Sequence, residues 1–537
     1  MKILRKYQTL RTISALAAVL LVTNCGNIVS DSDAETAINC SNGCSWSHQA
    51  YLKAPNAGAN DFFGDANSVS ISGDTIVVGA YKEDSNQTTI TTTPGGTDTG
   101  ADNSGAAYVF VRSGTTWSHQ AYLKAPNAGA DDYFGWSVAV SGDTIVVGAY
   151  AEDSNQTGIT NGTSASSDNS ASSAGAAYVF VRSGTSWSHQ AYLKAPNAEG
   201  GDQFGNSVSI SGDTIVVSAN SEDSNQTTIT NGTTIPAESG TTNFSGAAYV
   251  FVRSGTTWSH QAYLKAPNAS GSDYFGFVSI SGDTIAVGAK REDSNQTTIT
   301  NGTTVGADPG TANDSGAAYV FVRNGTAWSH QAYLKAPNAS NNDFFGEPLA
   351  ISGDTIVVGT FFEDSNQTTI TNGSTVGADP GTASNSGAAY VFVRSGTTWS
   401  HQAYLKAPNA EADDYFGYRL AVSGDTIVVG AFQEDSNQTG ITNGTSASSD
   451  NSASSAGAAY VFVRSGTSWS HQAYLKAPNA EADDDFGRSV AIDGTTIVVG
   501  AHQEDSDQTT VTTMPGGTDA SSTANVGAAY VFVGTPN

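Results

Sequence analysis

A histidine recurs seven times in one context, as His48, His119, His189, His260, His330, His401 and His471. Imidazole is a common metal ligand, so a ring of seven suggests metal binding. Equivalent residues of separate repeats lie far apart around a wide circle, however, and each histidine alternates with a tryptophan on one strand face. A structural role is expected, and no metal site is assigned. Paired acids also recur, as Asp131-Asp132, Asp413-Asp414 and Asp483-Asp484, and as Glu-Asp at Glu152-Asp153. Two carboxylates can hydrolyse a glycosidic bond. Such chemistry needs one shielded constellation, and these pairs occur in nearly every copy, so loop capping or solvated charge is expected. Glu347 and His502 are the only obvious non-repeated acid–base groups. No catalytic residue is assigned, and the chain is expected not to be an enzyme; a propeller enzyme acting on polysaccharide is the weaker alternative.

The residues that do not repeat are the better guide to binding. The position after a recurring Phe-Gly is Asp65, Trp136, Asn206, Phe277, Glu347, Tyr418 or Arg488. The two positions after the second strand are Tyr81-Lys82, Tyr150-Ala151, Asn220-Ser221, Lys290-Arg291, Phe361-Phe362, Phe432-Gln433 and His502-Gln503. Tyr, Trp, Phe and Arg are types enriched where proteins bind one another. Trp136, Phe277, Tyr418, Arg488, Tyr81, Tyr150, Lys290, Arg291, Phe361, Phe362, Phe432 and His502 therefore form the candidate ligand-binding face, for a protein or glycan ligand.

The elements that must position them follow from the repeat. Trp-Ser-His-Gln-Ala-Tyr-Leu-Lys-Ala-Pro-Asn-Ala begins at Trp46, Trp117, Trp187, Trp258, Trp328, Trp399 and Trp469. Each period holds four strand candidates. In the second copy Ser137–Val140 and Thr144–Ala149 flank a tight Gly-containing turn, a hairpin signal. A long polar segment from Glu152 follows, then Ala176–Arg182 and Trp187–Lys194, with Pro196 stopping the pairing. Four antiparallel strands, seven times, predict an all-β, seven-bladed β-propeller over residues 46–537. The chain ends on a third strand and the body begins with a fourth, so Trp46–Lys53 is expected to join the last blade and close the ring. Antiparallel order puts the start of the first strand, the end of the second and the long loops at one end of each blade. Both variable sets then rim one mouth of the channel.

Phe-Gly before the first strand, from Phe63-Gly64 to Phe486-Gly487, with Gly-Ala closing the second in most copies, as at Gly79-Ala80 and Gly148-Ala149, resembles the FG-GAP repeat of integrin α-chain propellers and their bacterial relatives. The resemblance covers residues 46–537 and implies a binding propeller. Two departures matter. One copy reads Ser218-Ala219 and another Gly359-Thr360. The turn that holds an Asp-rich calcium loop in many relatives is here only Ser-Gly-Asp-Thr, as at Ser141–Thr144. One carboxylate cannot supply the six to eight oxygens calcium prefers. No cofactor is expected, and the calcium the family suggests is not carried over.

The net charge of −28 argues against nucleic-acid binding, because no basic patch could neutralise phosphates. The N-terminus reads as an export signal. Lys2, Arg5, Lys6 and Arg11 precede a short apolar stretch, Ile13–Val22, too short to span a membrane. Leu21-Val22-Thr23-Asn24-Cys25 resembles a lipoprotein cleavage site with Cys25 acylated. The expected order is a lipoprotein signal peptide at 1–24, a lipidated tether at 25–45 and the propeller at 46–537. The product would be a monomer, lipid-anchored through Cys25 in the bacterial outer membrane and surface-exposed. Its role would be adhesion or protein–glycan interaction, or, as an alternative, envelope assembly. Cys40 and Cys44 could form a small disulfide, which an exported location permits.

Overall fold

The computed structural model describes residues 40, 43–94, 101–235, 243–306, 310, 313–377, 381–515 and 524–537. Cys25, the export signal and most of the tether lie outside the described residues. All that follows concerns the unit Ile38–Asn537.

The unit is a seven-bladed β-propeller of antiparallel sheets. In blade 2 the strands run outward from the channel as Ser137–Ser141, Thr144–Ala149, Ala176–Ser183 and Ser186–Leu193. The third strand is buried on both faces, Tyr178, Val179 and Phe180 being 0% exposed. A blade stacked between two neighbours requires that, and a period-2 alternation would not satisfy it. In blade 7 the outermost strand is the N-terminal Cys44–Leu52, paired in antiparallel register with Ala528–Pro536. It opens two residues before the repeated Trp46, and Cys44 is disulfide-bonded to Cys40.

Five blades carry a fifth strand that four-strand counting did not foresee. The long polar segment folds back and adds Ile159–Asn161, or its equivalent, to the outer edge of its own blade. An outer edge otherwise presents unpaired N–H and C=O groups. The last residue of this strand reaches the next blade. Asn161 Nδ2 donates to Trp258 O (3.0 Å), and its Oδ1 accepts from Trp258 N–H (2.8 Å). The amide side chain thus imitates one rung of a sheet ladder between blades. Trp258 Nε1 donates backward to Gln190 of blade 2 (2.9 Å).

The Phe-Gly and Gly-Ala pairs meet between blades. A Cβ on Gly148 would lie 2.1 Å from the carbonyl oxygen of Gly205 in the next blade, and Gly79, Gly288, Gly359, Gly430 and Gly500 face the following Phe-Gly carbonyl in the same way. That approach is closer than any side chain allows. Blade 3 has Ser218 instead. The blade it faces is one residue shorter between Phe-Gly and the turn, and its Gly276 is the one Phe-Gly glycine without a left-handed φ. The backbone that would collide with Ser218 has moved, and its hydroxyl accepts from Ser207 N–H (2.9 Å).

The histidines are structural in their contacts. His189 packs edge-on against Phe180 with centroids 5.5 Å apart. Burial lowers its pKa to about 4, so it is neutral at pH 7. The acid pairs divide. Asp132 accepts from Gly129 N–H (2.7 Å) and Asp153 from Ser173 N–H (2.8 Å), as loop caps should. Glu152 corrects the expectation of solvated charge. It is 1% exposed and bonded to Lys194 Nζ (3.0 Å), Tyr192 Oη (2.8 Å) and Asn127 Nδ2 of the preceding blade (3.0 Å). Lys-Glu pairs of this kind recur in all seven blades.

Candidate functional site

The channel is walled by the innermost strands, whose channel-facing edge has no sheet partner. Serine hydroxyls supply one. Ser72 Oγ accepts from Gly142 N–H of the next blade (3.1 Å), and Ser141, Ser211, Ser281, Ser352 and Ser423 repeat the contact around the ring. Asp493 closes the circle onto Gly73 (2.6 Å). The cavity enclosed is about 230 Å³.

At one mouth the two variable sets come together as the topology requires. Tyr81 packs edge-on against Trp136 (centroids 5.0 Å), and Trp136 against Tyr150 (4.8 Å). On the other side Phe361 meets Tyr418 (5.2 Å), Tyr418 meets Phe432 (4.4 Å), and Arg488 lies 4.6 Å from both of the latter rings. Tyr81, Lys290, Phe361 and Phe432, each just after a second strand, thus seat against the residue after Phe-Gly in the next blade, Trp136, Glu347, Tyr418 and Arg488. Arg488 closes the belt by pairing with Asp65 of blade 1 (2.9 Å), and Lys290 pairs with Glu347 (2.6 Å). The belt thins at blade 3, where Asn206, Asn220 and Ser221 replace rings. Asn206 and Asn220 line a small notch with Tyr274, Phe277, Lys290 and Glu347.

Phe361, Phe432 and His502 are almost wholly buried. They support the belt rather than face solvent, because each is overlaid by rings of its own or the adjacent blade. Trp136, Phe277, Tyr418, Arg488, Tyr81, Tyr150, Lys290, Arg291 and Phe362 keep part of their surface accessible.

Two contributors were missed from the sequence. One is the residue before Phe-Gly: Phe62, Tyr133, Gln203, Tyr274, Phe344, Tyr415 and Asp485, all left-handed with φ between 53° and 59°. Tyr133 stacks on Tyr150 (5.5 Å) and Tyr415 on Phe432 (5.5 Å). This position varies among copies as the other two do, which was the signal. The other is Arg419, which replaces the serine found as Ser137, Ser207 and Ser489. Its guanidinium lies 4.5 Å from the Tyr418 ring and 5.6 Å from that of Phe277.

Burial sets the protonation of the mouth. It lowers His502 to about 4, although Asp65 pulls the other way, and raises Asp485 to about 7 against its hydrogen bond from Gln503. Burial would also raise Asp65, but the neighbouring His502 and Arg488 hold it below its ordinary value. At neutral pH His502 is uncharged, so Arg488 is the group that acts. Glu347 behaves alike: burial is outweighed by Lys290 and Arg419. Glu347 and His502 are thus engaged separately, one by Lys290 and the other by Phe62 (5.4 Å) and Asp485 (3.6 Å). Among the described residues no group of three or more His, Cys, Asp or Glu could hold a metal ion.

The sequence matches the FG-GAP repeat over residues 46–110, 117–180, 187–234, 258–321, 328–392, 399–462 and 469–532. No curated protein matches it. Among solved structures it is similar to a puromycin-hydrolyzing peptidase of Mycobacterium tuberculosis, at 10% identity and a TM-score of 0.37, over 86% of this chain and 52% of that one. It is also similar to an acylaminoacyl peptidase in complex with Z-Gly-Gly-Phe-chloromethyl ketone, at 10% identity and a TM-score of 0.33, over 82% of this chain and 51% of the other. The chain spans about half the length of each.

Proposed function

Because the chain belongs to the FG-GAP repeat family, we propose that it is a non-enzymatic binding protein of the bacterial cell surface, taking a protein or glycan ligand at the long-loop mouth of its propeller. One observation carries this reading. Seven copies keep their scaffold residues nearly unchanged, yet the residues that meet at this mouth differ from copy to copy. Fold-bearing positions must repeat, whereas positions that contact one asymmetric ligand need not. A rigid scaffold presenting varied loop-end residues is a common way to build a binding surface. Export fits Lys2, Arg5, Lys6 and Arg11 before the apolar stretch, and anchoring fits acylation of Cys25.

The test is binding to immobilised matrix proteins and glycans, beside a variant carrying Tyr81→Asn, Trp136→Asn and Tyr150→Asn. Blade 3 already holds Asn at the equivalent positions, so the scaffold tolerates the change. Saturable binding lost in this folded variant supports the proposal. Binding that the variant retains in full overturns the site. Deletion that breaks envelope integrity without changing host binding favours envelope assembly instead.

A further inference from the structure

The basic residues of this acidic chain are distributed unevenly. Of its 22 Lys and Arg, four lie within the first eleven residues, seven are the repeated Lys and six the repeated Arg. Each of these seven Lys pairs with a buried Glu, and each of the six Arg pairs with a turn Asp. The five that remain are Lys82, Lys290, Arg291, Arg419 and Arg488, and all five stand at the same mouth. Arg488 and Lys290 are ion-paired there. Among the described residues Lys82, Arg291 and Arg419 have no ion-pair partner.

Arg419 is the most constrained of the three. It is 7% exposed, and among the described residues it is the only charged side chain lining the channel cavity. One Nη donates to the Tyr418 carbonyl (2.6 Å), while Nε is buried without a hydrogen-bond partner. A buried, under-satisfied guanidinium is costly, and a serine serves at this position in other blades. A planar donor fork held between two rings at the end of a cavity suits a carboxylate.

We infer that the mouth recognises a glycan ending in an acidic sugar, whose carboxylate is held by Arg419; this rests on the proposal that the ligand is taken at this face. The acidic setting selects a single charge. Asp131, Asp413 and Asp483 are exposed on the rim, and the overall charge of −28 repels a polyanion. The polar side chains around the adjoining notch, itself only about 10 Å³, favour a sugar. Asn206, Asn220 and Tyr274, beside Lys290 and Glu347, offer the mixed donors and acceptors that ring hydroxyls need. The channel volume of about 230 Å³ equals roughly eight waters at ~30 Å³ each, so it admits one terminal residue but not a branched chain.

Isothermal titration with 3′-sialyllactose, lactose and polyglutamate tests this. Saturable binding of sialyllactose, at least tenfold weaker for lactose, is expected. Arg419→Ser, which installs the residue of other blades, should lower sialyllactose affinity at least tenfold. Arg419→Lys, which keeps the charge without the fork, should fall between. Equal affinity for lactose, or unchanged binding by Arg419→Ser, overturns the inference. Binding of polyglutamate without sialyllactose also overturns it, in favour of an acidic peptide. If sialyllactose does not bind while another ligand is still lost from the Tyr81, Trp136 and Tyr150 variant, the acidic-sugar inference fails alone. If that variant loses nothing either, both fail.

Discussion

Glu152→Gln isolates the contact that recurs most deeply in this ring. Glu152 and Lys194 are 1% and 0% exposed, with Nζ 3.0 Å from Oε2. The other carboxylate oxygen accepts from Tyr192 and from Asn127 of blade 1. Glutamine keeps the shape and can still accept those two bonds. It leaves Lys194 charged, buried and facing an amide. Removing one partner of a buried pair costs about 3–5 kcal/mol, so a loss of that size is expected in urea denaturation at pH 7. The sign of the pH dependence follows from Lys194. Burial lowers its pKa, and the charge and hydrogen bond of Glu152 are the chief groups raising it. Without Glu152 the folded pKa falls further below the unfolded value of about 10.4. The unfolded chain then binds more protons across that interval, so stability rises with pH. The penalty is largest below the folded pKa and fades as pH approaches about 10. The double variant Glu152→Gln, Lys194→Met buries no charge there and should recover most of the loss. A penalty under about 1 kcal/mol, or one equal at pH 7 and pH 9.5, would refute this account of the pair.

Two further outcomes are expected. Gly148→Ser should prevent soluble expression or cost about 3 kcal/mol or more, because its Cβ would lie 2.1 Å from Gly205 O, whereas Ser218→Gly should cost far less; thermal melts compare them. Asp143→Asn should cost less than about 1 kcal/mol by the same melts, because the Asp143 carboxylate of its pair with Arg182 is solvent-exposed, and blade 7 lacks both partners, with Thr495 and Gly534 in their places.

The mouth shows how far internal comparison of repeats can reach. Trp136 and Tyr150 were placed at one face because their strands are antiparallel, and they pack at 4.8 Å. They pack within one blade, whereas the burial of Phe361, Phe432 and His502 beneath the belt depends on how neighbouring blades meet. Arg419 was overlooked because a charge beside a strand start reads as solvent-facing, and only closure of the ring turns that position into a channel wall. The fifth strand was read as loop because Ile159–Asn161 is too short to show a period of its own. Its pairing depends on an outer edge, near Leu193, that is distant in sequence.

Blade number, strand order and closure by the N-terminal strand were legible in the chain itself. They rest on local patterns repeated seven times, and a repeat forces equivalent residues into equivalent places. What the tertiary structure alone decided is how residues distant in sequence meet: Glu152 buried with Lys194 of its own blade and Asn127 of the preceding one rather than solvated, Gly148 pressed on Gly205, Ser218 admitted by a shortened neighbour, and Arg419 turned into the channel wall. Those contacts join residues tens to hundreds of positions apart, and their energy exists only once the ring is closed.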